Sequence, residues 1–104
     1  MNSFNVVKRS TLIAYYTKYS DAKKPIELWY SEIRELDIAN FNELKAVYKN
    51  ASIVANNRVV FNIKGNNYLL VVKISFYTRQ IFIIWFGTHN DYDKINVETI
   101  SYKP

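Results

Sequence analysis

The hydrophobic pattern of the chain changes period near its midpoint, and this change limits the fold more than any other feature. In the first half, Ile26, Trp29 and Ile33 recur at intervals of three and four residues, the spacing of one buried helix face. From Arg58 to Lys64, apolar residues recur at every second position instead, as they do in a half-buried strand. Helices followed by strands predict an α+β fold, with N-terminal helices packed on a small antiparallel meander.

Three helices are expected in the first half. Ser10 or Thr11 is the predicted N-cap of the first helix, and Pro25 is the predicted first residue of the second, where its missing N–H costs nothing. Asn40 and Glu43 have the spacing of a capping box and predict a short third helix. The apolar stripes of these helices are Leu12, Tyr15, Tyr16 and Tyr19, then Ile26, Trp29, Tyr30, Ile33 and Leu36, then Phe41, Leu44 and Val47 or Tyr48.

The second half predicts strands joined by tight turns. Gly65-Asn66 is a two-residue hairpin signal, because glycine accepts the positive φ that a type II′ turn requires. The remaining segments expected are an edge strand at residues 4–7, a polar loop at 50–57, a return strand at 68–76, a second turn at Thr78-Arg79 and a third strand at 81–86.

The hairpin turn also predicts the register of its two strands. If Lys64 faces Asn67 across the turn, Arg58 lies opposite Lys73. One face of the hairpin is then apolar and forms the core, whereas the other is polar and predominantly cationic. The polar face carries Arg58, Asn62, Lys64, Asn67, Lys73 and Ser75, and the apolar face carries Val59, Phe61, Ile63, Tyr68, Leu70, Val72, Ile74 and Phe76.

Length and charge suggest one small basic domain. The 104 residues suit a single domain spanning residues 1–104. Fourteen Lys and Arg against nine Asp and Glu give a formal charge of +5, which favours polyanionic partners, although a basic surface also serves solubility alone. The N-terminus has no signal-peptide pattern, and the longest apolar run, residues 81–86, is far shorter than the roughly 20 residues that cross a bilayer. We expect a cytoplasmic protein without a membrane partner.

Several kinds of site are excluded by the sequence. The chain has no cysteine, no glycine-rich phosphate loop and no nucleophile elbow. Its single histidine cannot supply the paired histidines of a zinc hydrolase. We therefore expect neither a metal nor a cofactor, and the remaining possibilities are metal-independent chemistry or binding alone.

The candidate chemistry lies just after the last predicted strand. His89 suits proton transfer near neutral pH, and Tyr92 lies three residues further on, on the same side of a turn or helix start. Internal cleavage of RNA requires a base for the 2′-hydroxyl proton, an acid for the leaving 5′-oxygen and cations for the charge on phosphorus. His89, Tyr92 and the cations Arg58, Lys64 and Lys73 could fill these roles. On chemistry alone, a lone histidine after a strand is more often a surface or structural residue, and cations on a strand face are ordinarily just solvated.

Long segments of the chain match a known family. They are NRVVFNIKGN at residues 57–66 followed by Tyr68, VVKI at 71–74, WFGTH at 85–89 and YDKI at 92–95, together with Trp29-Tyr30, Phe41, Leu44-Lys45 and Ala51. In these segments the chain resembles the HigB-type toxins of the RelE-like messenger RNA interferases over nearly its whole length.

This resemblance implies a fold, an activity and a partner. It implies a RelE-like fold and a type II toxin that cuts messenger RNA without a metal, typically on the translating ribosome. It also implies a HigA-type antitoxin with a helix-turn-helix domain. The toxin would then contact operator DNA only through this antitoxin.

The resemblance also implies site residues. His89 and Tyr92 are the expected catalytic residues from the segment after the last strand, and Lys73 is a third from VVKI. The residues expected to contact RNA are Arg58, Asn62, Lys64 and Arg79.

Two positions depart from the family pattern. Leu69 and Ile84 stand where relatives often carry a basic residue, and the predicted register places both on the face of Lys73. Each lost cation would remove stabilisation of the transition state if it touched the phosphate. These departures support one alternative, an RNA- or ribosome-binding module that does not cleave. A second alternative is a ParE-like toxin of the same fold that poisons a protein such as gyrase.

Overall fold

The structure is a computed structural model that describes residues 3–101. As the change of hydrophobic period predicts, the three long helices precede most of the strands. The elements are β1 (Asn5–Val7), α1 (Arg9–Lys18), a 3-10 turn (Ser20–Ala22), α2 (Lys23–Glu35), α3 (Phe41–Val47), β2 (Ser52–Val54), β3 (Arg58–Ile63), β4 (Tyr68–Ser75), β5 (Gln80–Thr88) and α4 (His89–Tyr92). The fold is therefore α+β, as predicted.

The sheet has five strands in the order β1-β5-β4-β3-β2, and it is mixed. Strands β2 to β5 pair antiparallel with their neighbours in sequence, whereas β1 pairs parallel with β5. The expectation of a purely antiparallel sheet is therefore wrong for β1. A tight turn imposes antiparallel pairing, but a long chain with three helices connects β1 to the other strands and allows a parallel neighbour.

The three N-terminal helices cover one face of the sheet, which we call the helix face. Helix α2 buries its stripe at Ile26, Trp29 and Ile33, as its spacing predicts. These side chains join one large core cluster with Leu12 of α1 and Leu44 of α3. The sheet contributes to this cluster Val59, Phe61, Ile63, Tyr68, Leu70, Val72, Ile74, Ile81, Ile83 and Phe86. The predicted apolar face of the hairpin is thus confirmed, with Phe76 packed at its margin.

Two helix starts differ from the sequence prediction. Helix α1 begins at Arg9, one residue after Lys8, which has a left-handed φ of 64° and makes no side-chain cap. The chain turns directly from β1 into α1, so neither Ser10 nor Thr11 is the cap. Helix α2 begins at Lys23 because the preceding 3-10 turn runs straight into it, which makes Pro25 its third residue. An N–H at that position has no intrahelical partner either, so the proline is tolerated.

The capping box and the hairpin register are confirmed. The Asn40 side chain accepts a hydrogen bond from the Glu43 backbone N–H at 2.9 Å. Across the β3–β4 hairpin, Arg58 pairs with Lys73, and Gly65 has the positive φ that its turn requires. The predicted loop at residues 50–57 is wrong in part, because Ser52–Val54 forms the edge strand β2.

Candidate functional site

The face of the sheet opposite the helices, here called the open face, is not mainly polar as predicted. Val60, Leu69 and Val71 are buried there in a small second apolar cluster. The half-buried side chains that pack against this cluster are Val54, Ile84, Trp85, Tyr92 and Val97. The last two belong to α4 and to the chain after it. The C-terminal segment therefore covers the middle of the open face, which the pattern of one hairpin did not indicate.

A β-bulge brings two consecutive residues of β5 into this cluster. Val71 pairs with Trp85 and Val72 pairs with Ile83, so Ile84 is an extra residue in β5. Both Ile84 and Trp85 pack against the open-face cluster. Leu69 also belongs to this cluster, and the prediction that Leu69 and Ile84 share the face of Lys73 is therefore confirmed.

Gly87 allows the indole ring of Trp85 to lie flat along β5. A Cβ atom at Gly87 would lie 2.7 Å from Cη2 and Cζ2 of Trp85, closer than side chains approach. The Trp85 ring in turn lies 6.1 Å from the ring of Tyr92, measured between centroids. A small side chain at Gly87 thus positions an aromatic pair beside α4.

The short helix α4 presents His89 at the end of β5. The Thr88 hydroxyl accepts a hydrogen bond from the Asp91 N–H at 3.2 Å and so caps the helix. The His89 backbone N–H donates to Asn67 of the β3–β4 turn at 3.4 Å. Tight turns at two strand ends therefore hold this histidine, and we call the region formed by residues 64–68 and 88–93 the turn end of the sheet.

The side chains of α4 form a small titratable group. The His89 imidazole is exposed, and its Nδ1 lies 3.8 Å from Oδ2 of Asp93, one helical turn further on. The centroids of the His89 and Tyr92 rings lie 6.5 Å apart, in an edge-to-face arrangement. Burial of the Tyr92 phenol, and secondarily the charge of Asp93, raises the pKa of Tyr92. Tyr92 is therefore a proton or hydrogen-bond donor at neutral pH.

Arg58 and Asn62 lie at the open face or its edge but already have partners. The Arg58 guanidinium is half-buried and donates from Nη1 to the carbonyls of Val97 at 2.9 Å and Ile100 at 2.6 Å. Arg58 therefore holds the C-terminal segment on the sheet. The Asn62 side chain donates to the carbonyl of Asn50 at 3.0 Å, which ties the chain before β2 to β3.

Lys64 and Arg79 point to the helix side, which corrects the predicted face of Lys64. The left-handed φ of 53° at Lys64 turns the chain there, and its Nζ lies 2.8 Å from Oδ2 of Asp21. The other Asp21 oxygen accepts from the Tyr68 hydroxyl at 2.6 Å. Arg79 donates to the carbonyl of Ile38 at 2.5 Å and lies over the ring of Phe4, 3.9 Å from its centroid. Neither cation reaches the open face.

The structure does not bring Lys73 together with His89. Lys73 is exposed on the open face, where it pairs with Phe82 of β5. From residue 82 to Thr88, which precedes His89, β5 extends about 20 Å at roughly 3.3 Å per residue. Lys73 is too far away to contact a phosphate held by His89 and Tyr92.

Sequence reasoning missed three residues that lie beside its predicted site residues. Asp93 lies four residues after His89, and a helical reading of that spacing would have paired them. Lys8 and Phe82 line one cavity with Lys73. No local pattern indicates this, because the cavity depends on the parallel pairing of β1 with β5.

Within residues 3–101, no group of three or more His, Asp and Glu side chains is arranged to hold a metal ion. In the same residues, no helix is long and apolar enough to cross a membrane.

The helices packed on one face of a five-stranded mixed sheet are compatible with a RelE-like fold. A family model for the HigB toxin, described as the RelE-like toxic component of a toxin-antitoxin system, matches residues 22–95. The chain belongs to this family, and membership implies an antitoxin partner. No curated protein matches the chain.

Proposed function

We propose that the protein is a metal-independent endoribonuclease that cleaves messenger RNA on the translating ribosome. The observation that carries this proposal is the exposed His89 imidazole at the turn end, with Asp93 beside Nδ1 and Tyr92 on the same helix. An exposed imidazole is available to an incoming phosphodiester, whereas a structural histidine is usually buried and hydrogen-bonded.

The proposed roles follow from the geometry and chemistry of α4. His89 accepts the proton of the 2′-hydroxyl, whose oxygen attacks phosphorus. The bond between phosphorus and the 5′-oxygen breaks, and the leaving 5′-oxygen takes a proton from water. Asp93 stabilises the imidazolium through its charge at 3.8 Å. Tyr92 stays protonated because its pKa is raised, and it donates a hydrogen bond to the charge that develops on the phosphate oxygens.

The proposed partners follow from family membership. We propose a HigA-type antitoxin with a helix-turn-helix domain, through which alone the toxin contacts operator DNA. The proposed compartment is the cytoplasm, where translating ribosomes are available.

One observation favours a second function, a ribosome-binding module of the same fold that does not cleave. Arg58, Lys64 and Arg79 all have partners within the chain, and Leu69 and Ile84 pack in the open-face cluster. The sheet therefore offers fewer available cations than the sequence predicted. Such a module would halt translation while leaving the message intact.

The decisive experiment compares three proteins in a translation extract. Wild type, His89→Ala and the matched control Asn90→Ala, an exposed neighbour on α4, are incubated with a defined message, and new 5′ ends are mapped by primer extension. We expect discrete cuts with wild type and Asn90→Ala, and a loss of about 100-fold or more with His89→Ala, because general acid–base catalysis contributes about that much.

The remaining outcomes separate the two functions. Cleavage that survives in His89→Ala removes His89 from the mechanism. Halted translation with an uncut message in wild type supports the non-cleaving module. Cuts that appear equally without ribosomes contradict the proposed dependence on translation.

A further inference from the structure

A cavity of about 410 Å³ lies between α2, the end of α3 and the strand β3 with its following turn. Its volume is within the range of roughly 300–1,000 Å³ that is typical of ligand pockets. Its buried apolar lining includes Trp29 and Phe61, which belong to the core on the helix side of the sheet. We call it the α2–β3 groove, and the catalytic roles proposed above use none of its residues.

The rim of the α2–β3 groove is apolar and exposed. Leu28 of α2 is 60% exposed, and Val47, the last residue of α3, is 52% exposed. Both side chains line the same groove. Apolar side chains that are exposed together around a concave surface mark an interaction site, whereas scattered single ones do not. The rim therefore offers apolar contact area to a partner.

Two buried polar atoms of this lining have no hydrogen-bond partner among the described residues. They are the indole N–H of Trp29, a residue that is 4% exposed, and the hydroxyl of Tyr48, which follows α3. Burial, and secondarily the charge of Glu32, raises the pKa of Tyr48 to about 12, so this hydroxyl keeps its proton. Native proteins leave few buried donors unpaired, because each one destabilises the fold. An occupant with two oxygen acceptors would satisfy both donors.

An extended peptide is the occupant whose chemistry fits these features. Its backbone carbonyls are free to accept hydrogen bonds, whereas the interior carbonyls of a helix are already used within that helix. Its apolar side chains would pack against Leu28 and Val47. Nucleic acid fits poorly, because the carboxylate of Glu32 lines the groove. Of the two lysines that line it, Lys64 is already paired with Asp21.

We propose that the α2–β3 groove binds an extended, apolar segment of a protein partner, whose backbone carbonyls accept hydrogen bonds from Trp29 and Tyr48. The exposed side chains of the rim change rotamer as the segment enters, which uncovers the two donors. The antitoxin implied by family membership is a partner of this kind. Lys64 and Gly65 line the groove and belong to the turn end, so the segment reaches the end of the sheet that carries His89.

The test uses a phage library of random linear dodecapeptides as the probe, panned against the whole protein. Counter-selection against Leu28→Asp removes the peptides that bind elsewhere. A surviving peptide is synthesised, and calorimetry measures its affinity for wild type, Val47→Asp and Tyr48→Phe. Ile13→Asp is the matched control, because Ile13 is an apolar residue of α1 that is also exposed and does not line the groove. Thermal unfolding confirms that each variant is folded.

We expect Val47→Asp to weaken binding of the peptide about ten-fold, because an apolar contact is lost, and Ile13→Asp to match wild type. Tyr48→Phe weakens binding about five-fold, the contribution of one hydrogen bond. Without peptide, the same variant unfolds at an unchanged or higher temperature, since it loses a hydroxyl that has no partner. When the peptide binds, the indole proton of Trp29 shifts downfield in the NMR spectrum, while that of Trp85, the other tryptophan, keeps its position.

Other outcomes overturn the proposal. If no peptide survives the counter-selection, the groove is not a peptide site. An unchanged affinity of Tyr48→Phe, or an unmoved indole proton of Trp29, means that backbone carbonyls do not reach the two donors. A peptide-free Tyr48→Phe protein that unfolds at a lower temperature means that ordered water already satisfies the hydroxyl and that no partner is required. None of these measurements involves RNA, so they are distinguishable from a failure of the proposed cleavage.

Discussion

The two faces of the sheet differ in how they are covered. The helix face is buried under α1, α2 and α3 and contains most of the side chains that are almost completely inaccessible, such as Leu70 and Ile81. Among residues 3–101, the buried cluster of the open face comprises three residues, and α4 and the C-terminal segment cover it. The first face supplies the stability of the fold, and the second leaves room for His89 and Lys73 at its opposite ends.

Leu69 and Leu70 allow the largest test of this difference, because they are neighbours on β4 that face opposite ways. We expect Leu70→Ala to lower the free energy of unfolding by about 3–5 kcal/mol, since the rigid helix-face core cannot collapse into the cavity. Leu69→Ala should cost about 1–2 kcal/mol, because the covering C-terminal segment can shift. Urea unfolding of both variants gives the two values.

Equal losses in the free energy of unfolding for Leu70→Ala and Leu69→Ala would contradict the difference between the two sheet faces. They would mean that the C-terminal segment is packed as firmly as the helices. A conservative Leu70→Met control, which keeps the volume, should lose less than about 1.5 kcal/mol and shows that the effect comes from the cavity.

The helix face was largely predictable from the sequence because its signals are local. The spacing of Ile26, Trp29 and Ile33, the Asn40–Glu43 capping box and the Gly65 turn each act within a few residues. Local periodicity therefore indicated the helices, the hairpin register and which face becomes the core.

The open face was less predictable because its contacts join residues far apart in the sequence. Arg58 binds carbonyls 39 and 42 residues away. Lys64, which was predicted to lie on this face, instead binds Asp21 on the helix side at a separation of 43 residues. No local sequence pattern distinguishes a cation that is paired within the chain from one that is available to bind a phosphate. The bulge at Ile84 likewise depends on pairing between strands, so the apolar character of this face was missed.

The next largest effect concerns the anchoring of the C-terminal segment by Arg58. We expect Arg58→Ala to cost about 1–3 kcal/mol, because the carbonyls of Val97 and Ile100 lose their charged donor. Hydrogen exchange should show faster exchange of the backbone amides of residues 97–101, while amides of α2 keep their protection. The control Lys73→Gln removes a charge from the same face and keeps the Arg58 guanidinium and its two hydrogen bonds.

An unchanged exchange rate at residues 97–101 in Arg58→Ala would show that apolar packing of Val97 alone holds the segment. The cover of the open face would then be held by apolar packing, as the cover of the helix face is. If Arg58→Lys keeps part of the exchange protection at residues 97–101, the positive charge matters more than the geometry by which the guanidinium binds two carbonyls.

The smallest effect concerns the exposed ion pair that joins the helix side to the turn end. Hydrogen bonds from Lys64 and then from Tyr68 lower the pKa of Asp21 below its usual range. A lowered carboxyl pKa stabilises the fold at neutral pH, and this contribution disappears as the pH falls through the lowered pKa, below about 4. We expect Asp21→Asn to be slightly less stable than wild type at pH 7, with a difference that shrinks below pH 4. Urea unfolding at pH 7 and pH 3 measures both values, and Asp37→Asn, an exposed carboxylate with no recorded ion pair, is the control.

A difference that stays constant with pH would mean that the Asn side chain itself disturbs the turn, and that the charge of Asp21 does not link the helices to the turn end.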